Sequence, residues 1–238
     1  MSLAANAGRP AWLLDELSSI GRENLDPAHV ARYDDKEDAG AAAEVQLLQD
    51  LGFGPDTVAV DLGAGTGQLA LAASRVWRRV VAVDPSPVMV ARLREKASQG
   101  SAALEIVEAG FLTYEHLGEP PDLVYSRYAL HHLPDFWKAV ALRRIHGLLR
   151  PGGTLRLWDI VYGFPVEEVD DRLEAWCATV PEEAPEGEWC RADIEEHVRD
   201  EHSTFTWLLE PMIAAAGFEV AEATYSEDGI FARYLLVA

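Results

Sequence analysis

The sequence predicts an α/β fold: a mostly parallel sheet with helices on both faces, finished by a C-terminal antiparallel hairpin. Three observations carry this. From Ala41 onward, short apolar strand-like runs alternate with helical stretches, the sequence pattern of right-handed β-α-β crossovers. The runs are rich in Val, Leu and Ala throughout, as strands covered on both faces require. The chain then ends on two strand-like runs, Val220 to Tyr225 and Phe231 to Val237, joined by SEDG, a linker whose length and glycine suit a hairpin.

Taken in order, AAAEVQLLQDLG is helical because Val45, Leu48 and Leu51 share one face, and Gly52 stops it. The first strand runs from Thr57 to Asp61 and enters a glycine cluster, after which QLALAASRV returns to helix. The second strand is Val80 to Asp84. Pro85 and Pro87 open the next helix, where Met89, Leu93 and Ala97 fall four apart. ALEIVEAG supplies a third strand and Asp122 to Arg127 a fourth. A long amphipathic helix follows in DFWKAVALRRIHGLL, with Asp135 as its expected N-cap. RPGGTLRLWDIV then gives a turn, with Gly152 at positive φ, and a fifth strand.

The interval 163–203 interrupts this rhythm. It holds 14 acidic residues against 3 arginines, a net charge of −11 out of −20 for the whole chain. Its flanks read as helices, with Leu173, Trp176 and Cys177 on one apolar face and Ile194, His197 and Val198 on another. Between them PEEAPEGE is a loop or tip. The expectation is an acidic helical insertion packed over the C-terminal edge of the sheet, serving as a lid, while residues 1–40 form an N-terminal helical arm outside a main domain of 41–238.

At 238 residues the chain suffices for one large domain. Forty acidic against 20 basic side chains repel phosphate backbones and anionic lipid, so no nucleic-acid partner and no membrane are expected. Two cysteines, Cys177 and Cys190, form no disulfide framework or zinc spacing, and no basic leader or long apolar span is present. These features point to a cytoplasmic protein, as a monomer or homodimer.

The glycine cluster carries the chemistry. In VAVDLGAGTG, Gly63, Gly65 and Gly67 directly follow the first strand, where bare backbone turns sharply and approaches a ligand closely. A dinucleotide fingerprint needs a glycine where Gln68 stands, which disfavours NAD or FAD. Asp84, at the tip of the second strand and 17 residues after Gly67, is placed to accept both hydroxyls of a ribose. The competing reading of Asp84 is an N-cap for the helix that follows it.

With these residues in place, the sequence resembles the class I S-adenosylmethionine-dependent methyltransferases from Leu48 to Ala238. VAVDLGAGTGQLA, VVAVDPSPVMV, DLVYSRYALHHLPD, LLRPGGTL and the hairpin carry the resemblance. It implies a Rossmann-like seven-stranded sheet, with S-adenosyl-L-methionine as cofactor and S-adenosyl-L-homocysteine as product. It implies also that Asp61, Gly63, Ala64, Gly65, Thr66 and Gly67 surround the methionine part, that Asp84 holds the ribose, and that Ser126 and Arg127 border the transferred methyl. Many members carry an acid for the adenine amino group after the third strand; here Gly110 stands in its place, leaving Phe111 and Pro85 as an apolar wall.

On the acceptor side, His131 in YALHHLPD is expected to line the pocket as an orienting group or base, and Tyr162 to donate to a substrate oxygen. In similar enzymes the arm folds over the cofactor, so the resemblance implies that Tyr33 touches the cofactor's carboxylate end or the substrate, a packed edge being the alternative. No metal is expected: HVRDEH spaces its histidines one residue too far for successive helical turns. The expected activity is methyl transfer to a small organic molecule. A protein or peptide methyltransferase and a catalytically idle binding protein that keeps the fold are the alternatives.

Overall fold

The computed structural model describes residues 10–36, 40–98, 103–185 and 187–238. Residues 1–9 and 37–39 of the expected arm, and Glu186 in the expected tip, lie outside the described residues. The arm consists of single 3-10 turns at Glu16–Ser18 and Arg22–Leu25 and two short helices, α1 (Pro27–Ala31) and α2 (Tyr33–Lys36).

From there the alternation is as the apolar pattern dictates: α3 (Ala41–Asp50), β1 (Val58–Leu62), α4 (Gln68–Ala73), β2 (Arg79–Asp84), α5 (Pro87–Ala97), β3 (Leu104–Glu108), β4 (Leu123–Arg127), α6 (Asp135–Leu148) and β5 (Thr154–Tyr162). The insertion contributes α7 (Val169–Cys177) and α8 (Arg191–Asp200). A two-residue strand β6 (Thr204–Phe205), α9 (Thr206–Ala216), β7 (Glu219–Tyr225) and β8 (Phe231–Val237) complete the chain.

The sheet order is β3-β2-β1-β4-β5-β8-β7, with β8 antiparallel to both its neighbours. This is the expected seven-stranded sheet with one addition. β6 pairs in parallel with the tip of β5, Val161 opposite Thr204 and Tyr162 opposite Phe205, so the insertion returns to the sheet before α9 begins.

Period-two alternation in the strands divides the core. Val60, Leu62, Val124, Leu155 and Leu157 face Leu142 and Ile145 of α6 and Leu209 and Ile213 of α9. Ala59, Val80, Ala82 and Leu123 face Leu48, Leu69, Ala73 and Leu93 on the other side. Each fully buried Leu or Val contributes roughly 1.5–3 kcal/mol. A third cluster joins Tyr162, Phe164 and Ile230, at the C-terminal end of β5, to Val169, Leu173 and Trp176 of the insertion.

Two capping expectations resolve differently. The N-cap of α5 is Ser86, whose Oγ accepts the Met89 N–H at 3.2 Å, so Asp84 is not needed as a cap. Asp135 is the first residue inside α6, with Pro134 at the cap. Its carboxylate instead meets Lys138 Nζ at 2.8 Å and the Thr204 hydroxyl at 3.1 Å. Lys138 is 2% exposed and needs that charge more than the helix end does.

Candidate active site

The glycine loop is pinned to the end of β2. Gly63 and Ala64 donate their N–H groups to Val83 O at 2.9 and 3.0 Å, and Gly65 donates to Asp84 Oδ2 at 2.8 Å. Gly63 and Gly67 must be glycine for steric reasons as well as for their positive φ. A Cβ at Gly63 would lie 2.2 Å from Ala129 Cβ at the end of β4, and one at Gly67 would lie 2.1 Å from Leu93 Cδ1 in α5. The loop is therefore wedged between two neighbouring elements, and Gly65 at its crest faces Tyr33 of the arm at 4.0 Å.

Asp84 is buried, and its second oxygen accepts the Ser86 N–H at 2.8 Å. Burial pushes its carboxyl up to about 6, against the pull of these two N–H donors. Asp61 lies deeper. Burial, reinforced by the Asp84 charge, raises it to about 7, and the Ala70 N–H opposes the shift.

A cavity opens beside this pair. Gly63, Gly65, Asp84, Pro85, Met89 and Phe111 form one part of its wall, and Arg127, Tyr128, Ala129 and His132 form the end nearest β4. The arm closes it with Glu16, Ile20, Asn24 and Tyr33. The arm is fastened by Asp34, which takes hydrogen bonds from the Thr66 hydroxyl, Gln68 Nε2 (3.2 Å) and Lys96 Nζ (2.5 Å).

Of the residues singled out in the sequence, Gly63, Gly65, Asp84, Pro85, Phe111 and Arg127 line this cavity. Asp61, Ala64, Thr66 and Gly67 back the loop without lining it, and Thr66 spends its hydroxyl on Asp34. Ser126 is fully buried, its hydroxyl without a hydrogen-bond partner among the described residues. Gly110 lies beneath the Glu16 carboxylate.

His131 and Tyr162 are not on the wall of the cavity. His131 Nδ1 lies 2.5 Å from Asp159 and Nε2 lies 3.0 Å from Glu201 of the insertion. Burial alone would lower its pKa, but the two carboxylates reverse the shift and hold the ring protonated. With both nitrogens engaged it cannot take a proton from an acceptor, which corrects the expectation of a base at this residue. Tyr162 faces a second cavity bounded by Phe164, Leu173, Glu201, Ser203 and Phe205. Burial raises its hydroxyl to about 12.

The histidine on the wall is His132. Burial and the neighbouring His131 charge lower it to about 4, so it is neutral, and its buried Nδ1 has no hydrogen-bond partner among the described residues. His131, His132 and Glu201 bring ligating atoms within 4.8 Å of one another, but Glu201 already receives His131 Nε2 at 3.0 Å and His197 Nδ1 at 2.5 Å. Sequence reasoning also missed Glu16 and Tyr128. Tyr128 is the only non-glycine residue at positive φ among the described residues (φ 50°), and it packs against Trp158 and Phe231. Such strain persists only where surrounding packing enforces it.

A family profile for a methyltransferase domain matches residues 59–153, the segment from the glycine loop to the turn before β5. An uncharacterized methyltransferase from Anoxybacillus flavithermus is 30% identical over 163 residues, 68% of this chain and 70% of that relative. The chain belongs to the class I S-adenosylmethionine-dependent methyltransferases. A trans-aconitate 2-methyltransferase from Methylobacterium radiotolerans is 35% identical over 131 residues, 54% of this methyltransferase and 46% of that protein. In fold, the cyclopropane synthase MmaA2 from Mycobacterium tuberculosis superposes with a TM-score of 0.64 at 18% identity, covering 95% of each chain.

The residues of this methyltransferase fit its cofactor. A buried carboxylate faces the cavity for the ribose hydroxyls, Pro85, Met89 and Phe111 offer apolar surface for a base, and Gly65 presents backbone without a side chain. No helix among the described residues is long and apolar enough to cross a membrane.

Proposed function

We propose that this methyltransferase methylates a small organic acceptor bound at the Arg127, Tyr128 and His132 end of the cavity, with Gly63, Gly65, Asp84, Pro85 and Phe111 holding the cofactor. The observation that carries the reading is the enclosure of the cavity: arm residues Tyr33 and Asn24 line the same space as Asp84 and Arg127, which suits a compact acceptor better than a polypeptide.

S-adenosylmethionine supplies a methyl group on a sulfonium, whose bond electrons stay with sulfur as the methyl leaves. The protein's task is to align acceptor and methyl and to exclude water, and alignment alone supplies much of the acceleration. Arg127 is the only cationic side chain among the residues lining the cavity. Its guanidinium stacks over Tyr128 and Trp158, 4.6 and 4.4 Å from their ring centroids, a setting that favours an acceptor oxygen already carrying negative charge. A carboxylate is such an acceptor and needs no base. His132, neutral at physiological pH, orients it through a ring nitrogen. The relative from Methylobacterium radiotolerans is named for a carboxylate acceptor, trans-aconitate, which agrees in class.

The insertion of residues 163–203 acts in this reading as a lid at the acceptor end. Glu201 ties it to His131, and Trp176 packs on Phe231 beside Tyr128. The test is incubation with methyl-labelled S-adenosylmethionine and a panel of small carboxylic acids, phenols and peptides. Label in a small methyl ester is expected. Label confined to peptides or protein would refute the proposal.

A further inference from the structure

We propose that His131, His132 and Glu201 form a binding site for one divalent transition-metal ion, where the insertion meets the acceptor end of the cavity. The two histidines stand in a single 3-10 turn, Leu130–His132, between β4 and α6. Adjacent side chains in such a turn diverge by about 120°. These two instead bring their ring centroids to 4.4 Å, and both meet Glu201, the residue that caps the C-terminus of α8. The backbone fastens this meeting, because the His202 N–H donates to His131 O at 2.9 Å.

The polar atoms converge without satisfying one another. His132 Nδ1 and Glu201 Oε2 are both buried and have no hydrogen-bond partner among the described residues. Glu201 Oε2 lies 3.0 Å from His131 Nε2 and 2.5 Å from His197 Nδ1, but these are charge contacts outside hydrogen-bond geometry. Buried polar atoms left over in this way are costly. A cation shared between them removes both costs at once.

The spacing fits such an ion. Bonds of about 2.0–2.1 Å to four-coordinate zinc separate the ligand atoms by about 3.4 Å. Glu201 lies 3.0 Å from His131 Nε2 through one oxygen and 3.9 Å from His132 Nδ1 through the other, so the contacts bracket that value. All three donors lie within 4.8 Å of one another. Two imidazoles and a carboxylate suit zinc or a neighbouring first-row ion, whereas magnesium demands oxygen ligands. Asp159 supports the arrangement from behind: it meets His131 Nδ1 at 2.5 Å and accepts the His131 backbone N–H at 3.1 Å. That fixes the ring and leaves Nε2 for Glu201, as a carboxylate behind a metal-bound histidine does. The ion replaces the proton that His131 otherwise carries there.

Three protein donors leave a fourth position open, as catalytic zinc does. His132 lines the cavity beside Arg127 and Tyr128, so an ion on this ring borders the space assigned above to the acceptor. The ligand class for the open position is an anionic oxygen, such as that of a carboxylate. This last step rests on the acceptor reading; the ion site does not.

The test is calorimetry of zinc chloride into the full chain, freed of metal by a chelator. One ion per chain is expected, with a Kd on the order of 1 μM or below that millimolar magnesium leaves unchanged. His132→Leu deletes a donor whose Nδ1 strands no partner, and should weaken zinc binding roughly thirtyfold or more. Glu201→Gln should lose as much wherever thermal unfolding shows it folded. His116→Ala, whose ring pairs instead with Tyr114 and Glu119, should leave zinc affinity as it is. Cobalt in the same site should give visible bands that shift when acetate is added. A wild-type Kd above about 100 μM, or a His132→Leu affinity within threefold of wild type, would overturn the site. Cobalt bands that ignore acetate would overturn the acceptor contact alone.

Discussion

Replacing Asp84 with Asn keeps the shape of the side chain and removes its charge, and the structure sets two opposing consequences. In the free protein, burial raises the Asp84 carboxyl from 3.8 to about 6, so ionisation at pH 7 opposes folding by an amount on the order of 3 kcal/mol. The sign follows from the direction of the shift. A raised carboxyl pKa contributes stability below about pH 4 that is lost as pH rises through about 6, and the amide escapes this loss. Against that, Asp84 accepts from both Gly65 and Ser86, and an amide keeps only one of those acceptors, its carbonyl oxygen, while its NH2 faces the other N–H donor to donor and leaves it unpaired at roughly 1–3 kcal/mol. The two effects nearly cancel, so the melting temperature of Asp84→Asn should stay within a few degrees of wild type. Binding does not cancel. Two charge-assisted hydrogen bonds from ribose hydroxyls become at best one neutral bond, a loss of about 2–4 kcal/mol, or roughly 30- to 1000-fold in affinity for S-adenosylhomocysteine. The wild type should also release a proton on binding near pH 6, because the ligand favours the ionised carboxylate, and affinity should weaken as pH falls below that point. Calorimetry in buffers of different ionisation enthalpy measures both. An Asp84→Asn affinity within threefold of wild type, or binding at pH 6 without proton release, would refute the ribose role.

Glu201→Gln should destabilise the fold by about 3–5 kcal/mol at pH 7, because it leaves His131 and His197 facing an amide in a buried site; the deficit should shrink in acid. Burial alone would raise the Glu201 carboxyl, but those histidines hold it well below its ordinary value of 4.5, so the stability it contributes is complete above that pH and is lost progressively as pH falls further toward the lowered value, as urea titrations at pH 7 and pH 3 would reveal. Gly67→Ala should lower stability by about 2–4 kcal/mol, since it combines a positive φ with a methyl group 2.1 Å from Leu93 Cδ1. Gly65→Ala, with 4.0 Å of clearance to Tyr33, should lose only the conformational part, about 1 kcal/mol; equal losses would show that packing at Gly67 is not the cause. Shortening the PEEAPEGE tip should leave S-adenosylhomocysteine affinity unchanged and raise the KM for the acceptor, whereas loss of cofactor binding alone would remove the lid from the account.

What was legible in the sequence was local. The alternation of strands and helices, the hairpin and the glycine loop with Asp84 all lie in stretches where a few neighbours decide the conformation. The pairing of Gly63 with Ala129 and of Gly67 with Leu93 was not legible, because each joins elements whose approach is fixed only by the folded sheet. Asp135 illustrates competition: its sequence position suits an N-cap, but the buried Lys138 and Thr204 claim its carboxylate. His131 was expected on the pocket wall, but its ring is turned to Asp159 and Glu201, neither of which stands near it in sequence. Glu16 was not legible, because its packing on Gly110 joins the arm to a loop far along the chain.

Lys36 belongs to the arm, yet its ammonium lies 3.2 Å from Asp193 and 4.1 Å from the ring centroid of Trp189, both in the insertion. Arm and insertion come from segments of the chain separated by the whole glycine-loop half of the sheet, and Lys36 bridges them; in the proposed reading of the insertion as a lid, the two cover the cavity together. On the lid reading, admission of either ligand draws on a shared opening event. In steady-state kinetics that coupling favours a compulsory order, with the adenosyl ligand entering first and leaving last, and product-inhibition patterns would record it: S-adenosylhomocysteine competitive with the cofactor, and the methylated acceptor competitive with neither substrate. A latch of a few kcal/mol at most also makes turnover sensitive to salt in a way that cofactor affinity is not, so ionic strength becomes a control on release rather than on chemistry.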